Sequence, residues 1–555
     1  MKSRFGVFVL LILLSSSLAG GFMGGITAAG QSPTQTSPNE FLNNFTEALD
    51  IIQKTHVGNV SSDKLVYSAI KGMLRALDPH STFFDPKEFS KLREEQHSKY
   101  FGLGIRVRPL LRDRGPVVIV EPPSIGSPAE KRGLRAGDVI TKVVGASIAD
   151  WTSVEVVSHL RGPRGTFVNI TVERPGVRDP LQFRVEREEI PLITVPYAFE
   201  IKPGVGYIRI DRFSESTADE LRAKLKQLSD EGNLNGLVLD LRDNPGGLLN
   251  QAIEVVDFFV NRGTTIVSTK GRAEGSARPY RAVMLPPGEK IKVPLVVLIN
   301  KHSASASEIV AGALQDHDRA LILGETSFGK GLVQSVYTME NGTGMTLTTA
   351  KYYTPSGRLI QRDYSGSTFE YYYMSGGIAQ PSKAEIRTTD SGRKVYGGGG
   401  ITPDVEAPSR ELNRFEAMLS SKDVFFEYAR RLTSGQVPAA STFKLPLKNE
   451  EVAPIAAKGP KTVPRLEITD AILEDFKVFL RSRNIEFTDE DIQSNLEFIK
   501  RRIKQEVYIS NFGLQEGFKI GIQGDSQVLK ALEVLPEAKQ LMTTGHFSSA
   551  AQVVK

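Results

Sequence analysis

A multidomain α/β protein is predicted for this chain by three observations. Its 555 residues exceed what a single hydrophobic core holds, about 250–300 residues. Segments such as "GLVLDL" and "PLVVLIN" are continuously apolar and alternate with helix-like stretches, as parallel strands buried on both faces do. Between residues 101 and 190 the pattern changes to short alternating strands at regular spacing, which marks a separate module.

Composition narrows the chemistry. Hydrophobic residues at 40 % and charged residues at 24 % are globular values. The net charge of +5, from 69 basic and 64 acidic residues, is too mild and too dispersed for a nucleic-acid surface, so no nucleic-acid partner is expected. The chain has no cysteine, which removes disulfides, thiolate catalysis and cysteine zinc sites, so a covalent nucleophile must be an oxygen. Its seven histidines show no HExxH or paired spacing; neither metal nor cofactor is expected.

The elements follow in order. Residues 1–30 carry Lys2 and Arg4 ahead of an apolar stretch and then "ITAAG", which reads as a signal peptide or a membrane anchor. Either reading places the remainder outside the cytoplasm, periplasmic or otherwise extracytoplasmic, secreted or anchored. Membrane contact is expected only through residues 5–29, if these are retained. Residues 31–40, "QSPTQTSPNE", form a Pro/Ser/Thr linker. Residues 41–97 show apolar positions at helical spacing and form an N-terminal helical domain, in which "DPHS" (78–81) reads as a turn with a packing role.

Residues 98–190 hold the strands "PVVIVEPP", "GDVITKVVG", "TFVNITVERP" and "LQFRVERE", with helices at "SPAEKRGLRAGD" and "WTSVEVVSHLRG". With "FGLGI" and "SPAEKRGLRAGDVI" at this distance, the module resembles a PDZ domain of bacterial proteases. That resemblance implies a loop whose N–H groups take a terminal carboxylate and an edge strand that a peptide extends. It assigns substrate binding to Phe101, Gly102, Leu103, Gly104 and Ile105, with an apolar pocket at Phe101, Leu103 and Ile105.

Residues 191–408 alternate strand and helix through "VGYIRI", "LNGLVLDLRDNPGG", "PLVVLIN" and "ALILGE", an α/β core of catalytic type closed by "YGGGGITPDV". Residues 409–555 turn helical, with a Pro/Lys-rich linker near 436–465, and their charged helices read as solvated faces, homo-oligomer contacts or an adaptor surface.

Three serines alternate in "HSASASEIVAGALQD" (302–316). Ser305 begins S-x-x-E ahead of an apolar run, so it fits a capping box with Glu308. It equally fits a nucleophile at a helix N-terminus, where the Ala306 N–H and a glycine N–H from "DLRDNPGG", Gly246 or Gly247, would face a developing oxyanion. His302 and His317 are poorly spaced to act as its base. Lys330 in "GETSFGKGLVQ" sits between glycines after a buried strand, where desolvation would favour its neutral amine; a lysine reaching to water is the alternative.

The sequence "SASASEIVAGALQD", followed by "GETSFGKGLVQ", "YYTPSGRLIQ" and "GGITPDV" and preceded by "LDLRDNPGG" and the PDZ-like module, resembles the carboxyl-terminal processing (tail-specific) protease family over residues 40–408. The resemblance implies a serine endopeptidase with a ClpP/crotonase-like core and an inserted PDZ domain. It implies Ser305 as nucleophile, Lys330 as general base, Gln334 as the residue orienting the lysine, and Ala306 with Gly246 or Gly247 as oxyanion hole. Its substrates would be proteins with exposed C-terminal tails, and Arg161, after the second PDZ helix, a gating residue. A catalytically silent PDZ adaptor and a crotonase-like acyl hydrolase are the competing readings.

Overall fold

The computed structural model describes residues 38–111, 114–283, 290–365, 371, 385–443 and 463–547. The apolar stretch at 5–29 lies outside them. Among the described residues no helix is long and apolar enough to cross a membrane.

The chain divides after Ala76. In the first unit, helices Pro38–Thr55 and Ser62–Arg75 are joined by a short turn, and Gln53 Nε2 donates to Ser62 Oγ across it. Both helices are amphipathic, yet Phe41, Leu42, Phe45, Ile51 and Ile52 remain exposed.

The second unit is built on a six-stranded sheet. Its order is Tyr197–Lys202, Val205–Arg209, Gly236–Asp240, Leu295–Ile299, Leu321–Gly324 and Val405–Glu406; all neighbours are parallel except the first pair. Side chains alternate across a strand. Leu237, Leu239, Leu295 and Val297 therefore meet helices Thr217–Glu231, Leu249–Asp257 and Ala306–Asp316 on one face. The opposite face carries Val238, Val296, Leu298, Leu321 and Leu323.

That second face is covered by the end of the chain. Val528 and Ala531 of helix Ser526–Glu533, with Ala538 and Leu541 of helix Leu535–Thr544, pack onto it. The sequence reading gave these helices solvated or intermolecular faces, because their charged residues dominate the pattern. In the fold each contributes one narrow apolar stripe, which is enough to seal a strand layer. Of the linker expected near 436–465, residues 444–462 lie outside the described residues; ahead of them Val437, Ala440 and Phe443 are buried, with Leu466 just beyond the expected linker, among the helices Val424–Thr433, Asp470–Ser482 and Leu496–Phe512.

A second sheet, fully antiparallel, runs Val107–Leu111, Arg114–Ile119, Val139–Val143, Phe167–Glu173, Leu181–Glu186. Helices Pro128–Lys131 and Ser153–Leu160 close its inner face around Val117, Ile119, Ile140, Val156 and Val172. Strand Lys99–Gly102 leads into this module and pairs with Glu188–Pro191, which leads out. An insertion whose two ends pair can be accommodated without disturbing the host. On its outer face Val118 and Val139 pack against Phe426 from the helical region.

A third sheet places Thr82–Phe84, Thr265–Gly271 and Leu332–Thr338 along the long strand Gly344–Tyr353, with Arg278–Arg281 beyond.

Because Leu541 is buried against the peptidase sheet, Leu541→Ala should cost about 2–5 kcal/mol. Urea unfolding of the full chain measures this, and a loss within error of zero would show that the terminal helix is not part of the core.

Candidate active site

The alternating serines fall on the turn between strand Leu295–Ile299 and helix Ala306–Asp316. Two of them are fasteners. Buried Ser303 accepts from the Asn300 N–H at 2.9 Å and donates to the Leu241 carbonyl at 2.8 Å, and buried Ser307 donates to the Asn244 carbonyl at 3.0 Å. Both bind the serine turn to the neighbouring glycine loop. Ser305, between them, is only half-buried and has φ 56° and ψ −112°. A non-glycine residue held there costs about 1–3 kcal/mol, which the surrounding bonds must offset.

Only half of the anticipated capping box closes the helix. Glu308 Oε2 accepts from the Ser305 N–H at 2.7 Å, while the Glu308 N–H donates to the Ser305 carbonyl. No side-chain hydrogen bond from Ser305 caps the helix.

Glu308 does more than close the helix. It is fully buried, and its Oε1 accepts from Ser327 Oγ and the Gly329 N–H, both at 2.6 Å, while Oε2 also accepts from the Lys330 N–H at 2.9 Å. Burial raises its pKa, and these donors oppose the rise. Four donors converging on two oxygens fit the ionised carboxylate. Buried Tyr352 adds a second tie, the single hydrogen of its hydroxyl shared between the carbonyls of Ser305 (3.0 Å) and Lys330. Neither Glu308 nor Tyr352 was assigned a site role from sequence; the S-x-x-E spacing did flag Glu308, but as a cap.

Lys330 is half-buried, and burial pushes its pKa down against the opposing charges of Glu308 and Asp78. Its Nζ donates to Gln334 Oε1 at 3.0 Å, and Gln334 Nε2 donates to the His80 carbonyl at 2.5 Å. The "DPHS" turn therefore does not merely pack, as read from sequence; it lies against the lysine's partner. Sequence proximity could not reveal this, since Gln334 and His80 are 254 residues apart. His317 is engaged elsewhere, by Asp390 at 2.7 Å and the Thr265 carbonyl at 2.7 Å.

The glycine loop lies directly under the serine. Gly246 has φ 95°, and a Cβ there would fall 2.7 Å from Ser305 Cβ and 2.8 Å from the Ala306 nitrogen. Its N–H, however, donates to Asn244 Oδ1 at 2.9 Å, so of the two expected oxyanion donors Gly246 is already occupied. Gly247 bridges Phe213 in parallel fashion, and the bridging bonds use the Gly246 carbonyl and the Leu248 N–H. That geometry turns the Gly247 N–H away from Phe213. The N–H of Ala306, first residue of its helix, has no intrahelical acceptor. Below the loop, Arg242 pairs with Asp240 at 2.6 Å and with Asp525 at 2.8 Å, and donates to Gln527 Oε1 at 2.7 Å.

In the antiparallel module, Val107–Leu111 is an edge strand. In the loop ahead of it, the Leu103 carbonyl accepts from the Ala129 N–H and the Gly104 carbonyl from the Ser124 N–H. A Cβ on Gly104 would fall 2.3 Å from Ser127 Cβ. The expected apolar pocket needs correction: Leu103 is only 2 % exposed within the module's core, Ile105 packs partly against that core, and Phe101 is the exposed one. Gly102 closes the pair of strands at the module's base. Arg161 pairs with Glu94 at 2.9 Å and lies 4.3 Å from the Tyr100 ring centroid, so it ties the module to the segment ahead of it.

A strained serine opening a buried helix, a desolvated lysine on the adjoining loop and a glycine loop beneath are the chemical groups that acyl transfer uses. Residues 23–88 match the Activating protease CtpB N-terminal domain, residues 91–173 a PDZ domain and residues 204–370 Peptidase family S41. A carboxy-terminal-processing protease of Bartonella bacilliformis is 40 % identical over 360 residues, covering 64 % of this chain and 79 % of that one. Carboxy-terminal processing protease CtpB of Bacillus subtilis is 35 % identical over 396 residues, covering 70 % and 80 %. The solved photosystem II D1 C-terminal processing protease aligns at 28 % identity and a TM-score of 0.33, covering 67 % of this chain and 94 % of its own. The chain belongs to the carboxy-terminal processing proteases of peptidase family S41 and is a serine protease with a PDZ domain.

Replacing one acceptor oxygen of Glu308 with an amide sets N–H against N–H. Glu308→Gln should lose about 1–3 kcal/mol of stability and most of its proteolysis, read by thermal melting and by cleavage of an unfolded protein. Activity at the parent level would show that the two loops do not depend on this carboxylate.

Proposed function

We propose that this chain is an extracytoplasmic endopeptidase that captures protein tails on its PDZ domain and cuts them with a Ser305–Lys330 dyad on a ClpP/crotonase-like core. The observation carrying this reading is the joint anchorage of Ser305 and Lys330 by Glu308 and Tyr352. Ser305 Oγ attacks the scissile carbonyl as the neutral Lys330 amine takes its proton. The resulting ammonium then returns a proton to the leaving amine, and water hydrolyses the acyl-enzyme with the same base. Gln334 limits the rotamers of the amine so that its lone pair faces the serine. The oxyanion is received by the N–H groups of Ala306 and Gly247, the latter supported by its orientation in the Phe213 bridge.

Tail capture uses the backbone of residues 103–105 and the open edge of Val107–Leu111, to which a peptide adds as a strand. Phe101 is the side chain best exposed to meet an apolar terminal residue. Arg161 is placed to relay occupancy, since its partners Glu94 and Tyr100 precede the module. Residues 5–29 direct export and, if retained, hold the enzyme at a membrane.

Ser305→Ala and Lys330→Ala should each abolish cleavage of an unstructured protein without lowering the melting midpoint, and combining them should lose no more. Substantial turnover by Lys330→Ala would remove the lysine from the mechanism. The sign of the pH dependence follows from the depressed lysine: kcat/KM should rise as pH climbs through a value below 10.5, the ordinary lysine figure. A rate falling over that range would contradict a neutral-amine base. Amidating the terminal carboxylate of a substrate should slow cleavage at an unchanged upstream site, and equal rates for free and amidated tails would rule out carboxylate capture.

A further inference from the structure

Residues 78–81, "DPHS", join the helical N-terminal segment to strand Thr82–Phe84. Asp78 is 8 % exposed. Its Oδ1 accepts from the N–H groups of His80 and Ser81, both at 2.8 Å, and its Oδ2 from Ser81 Oγ at 2.7 Å. This is a side-chain-closed turn, whose carboxylate replaces a missing backbone acceptor. Ser81 Oγ in turn accepts from the Thr348 N–H at 3.0 Å. Thr348 is the residue paired with Gln334 across the sheet, at a bulge between Val333 and Gln334. A bulge re-aims the side chain that follows it. Here the Gln334 amide reaches the His80 carbonyl at 2.5 Å with its nitrogen and Lys330 Nζ at 3.0 Å with its oxygen.

We propose that Asp78 is a positioning residue for the general base: by closing the turn it sets the His80 carbonyl, which fixes Gln334, which orients the Lys330 amine. The inference rests on the dyad reading above. The turn needs a short side chain with an acceptor oxygen, since Asp78 Oδ1 takes two backbone donors at once, and the carboxylate adds a charge that the lysine senses. The other groups facing the lysine are Glu308 from the helix, Tyr352 from the long strand, and the His80 ring with Tyr371 and Arg362 beyond it. Burial, the positive charge of Lys330 and that of Arg362 push the His80 imidazole down to about 4, so it stays neutral where the lysine titrates. A pH limb in the working range therefore reports the lysine and the charges around it.

The test compares the full-length parent with Asp78→Ala, Asp78→Asn and Lys330→Ala on an unstructured protein with an apolar terminus, across neutral to alkaline pH. Asp78→Ala should lower kcat about 10- to 100-fold and leave KM within about twofold. Asp78→Asn keeps an acceptor for the turn but removes a negative charge that favours the ammonium. Its kcat/KM profile should therefore rise at lower pH than the parent's, with kcat largely restored relative to alanine. If Asp78→Ala fails to fold, the asparagine profile decides. An unmoved profile in Asp78→Asn, or a parental kcat in folded Asp78→Ala, overturns the proposal while an inactive Lys330→Ala leaves the dyad standing. An active Lys330→Ala overturns both.

Discussion

The buried carboxylate of Glu308 is the constraint on which the site depends. An ionised group without partners in a protein interior costs several kcal/mol, so its four donors are obligatory. Two of them belong to the backbones of Ser305 and Lys330, and the other two, Ser327 Oγ and the Gly329 N–H, belong to the lysine loop. Satisfying the carboxylate and assembling the two loops are therefore one event. The same bonds hold Ser305 in a backbone conformation it would otherwise leave, and Tyr352 repeats the tie from the carbonyl side.

The glycine loop is fastened to this assembly from above and below. Ser303 and Ser307 hold it from the serine turn, through the Leu241 and Asn244 carbonyls. From beneath, Arg242 is shared between Asp240 on its own strand and Asp525 with Gln527 at the start of a terminal helix. The last helices thus do two things at once: they seal the second face of the central sheet and they supply partners for a buried guanidinium two residues past its strand. Arg108, on the edge strand of the PDZ module, pairs with Asp423 and lies 4.7 Å from the Phe426 ring centroid, so the same helical region also grips that module. The peptidase sheet and the PDZ module are braced by one C-terminal region.

Much of this was determined by sequence alone. Continuous apolar runs marked the parallel strands, because a strand covered on both faces has no side left for polar residues. Period-two alternation marked the antiparallel module. The local settings of Ser305, Lys330 and Gln334, a helix start, a glycine turn and a strand, were legible because each is encoded by neighbouring residues. What the sequence could not show were contacts between distant segments. Glu308 looked like an ordinary cap, since the three donors from the lysine loop that distinguish it lie 19, 21 and 22 residues away in the chain. The "DPHS" turn looked like packing because its partner stands on a strand 254 residues later. The terminal helices looked solvated because a charged pattern hides an apolar stripe until the strand layer it covers is known. Gly246 and Gly247 were indistinguishable until the Phe213 bridge oriented their N–H groups differently. Local chemistry is written in neighbouring residues; which group meets which across the fold is decided only when burial forces each polar atom to find its partner.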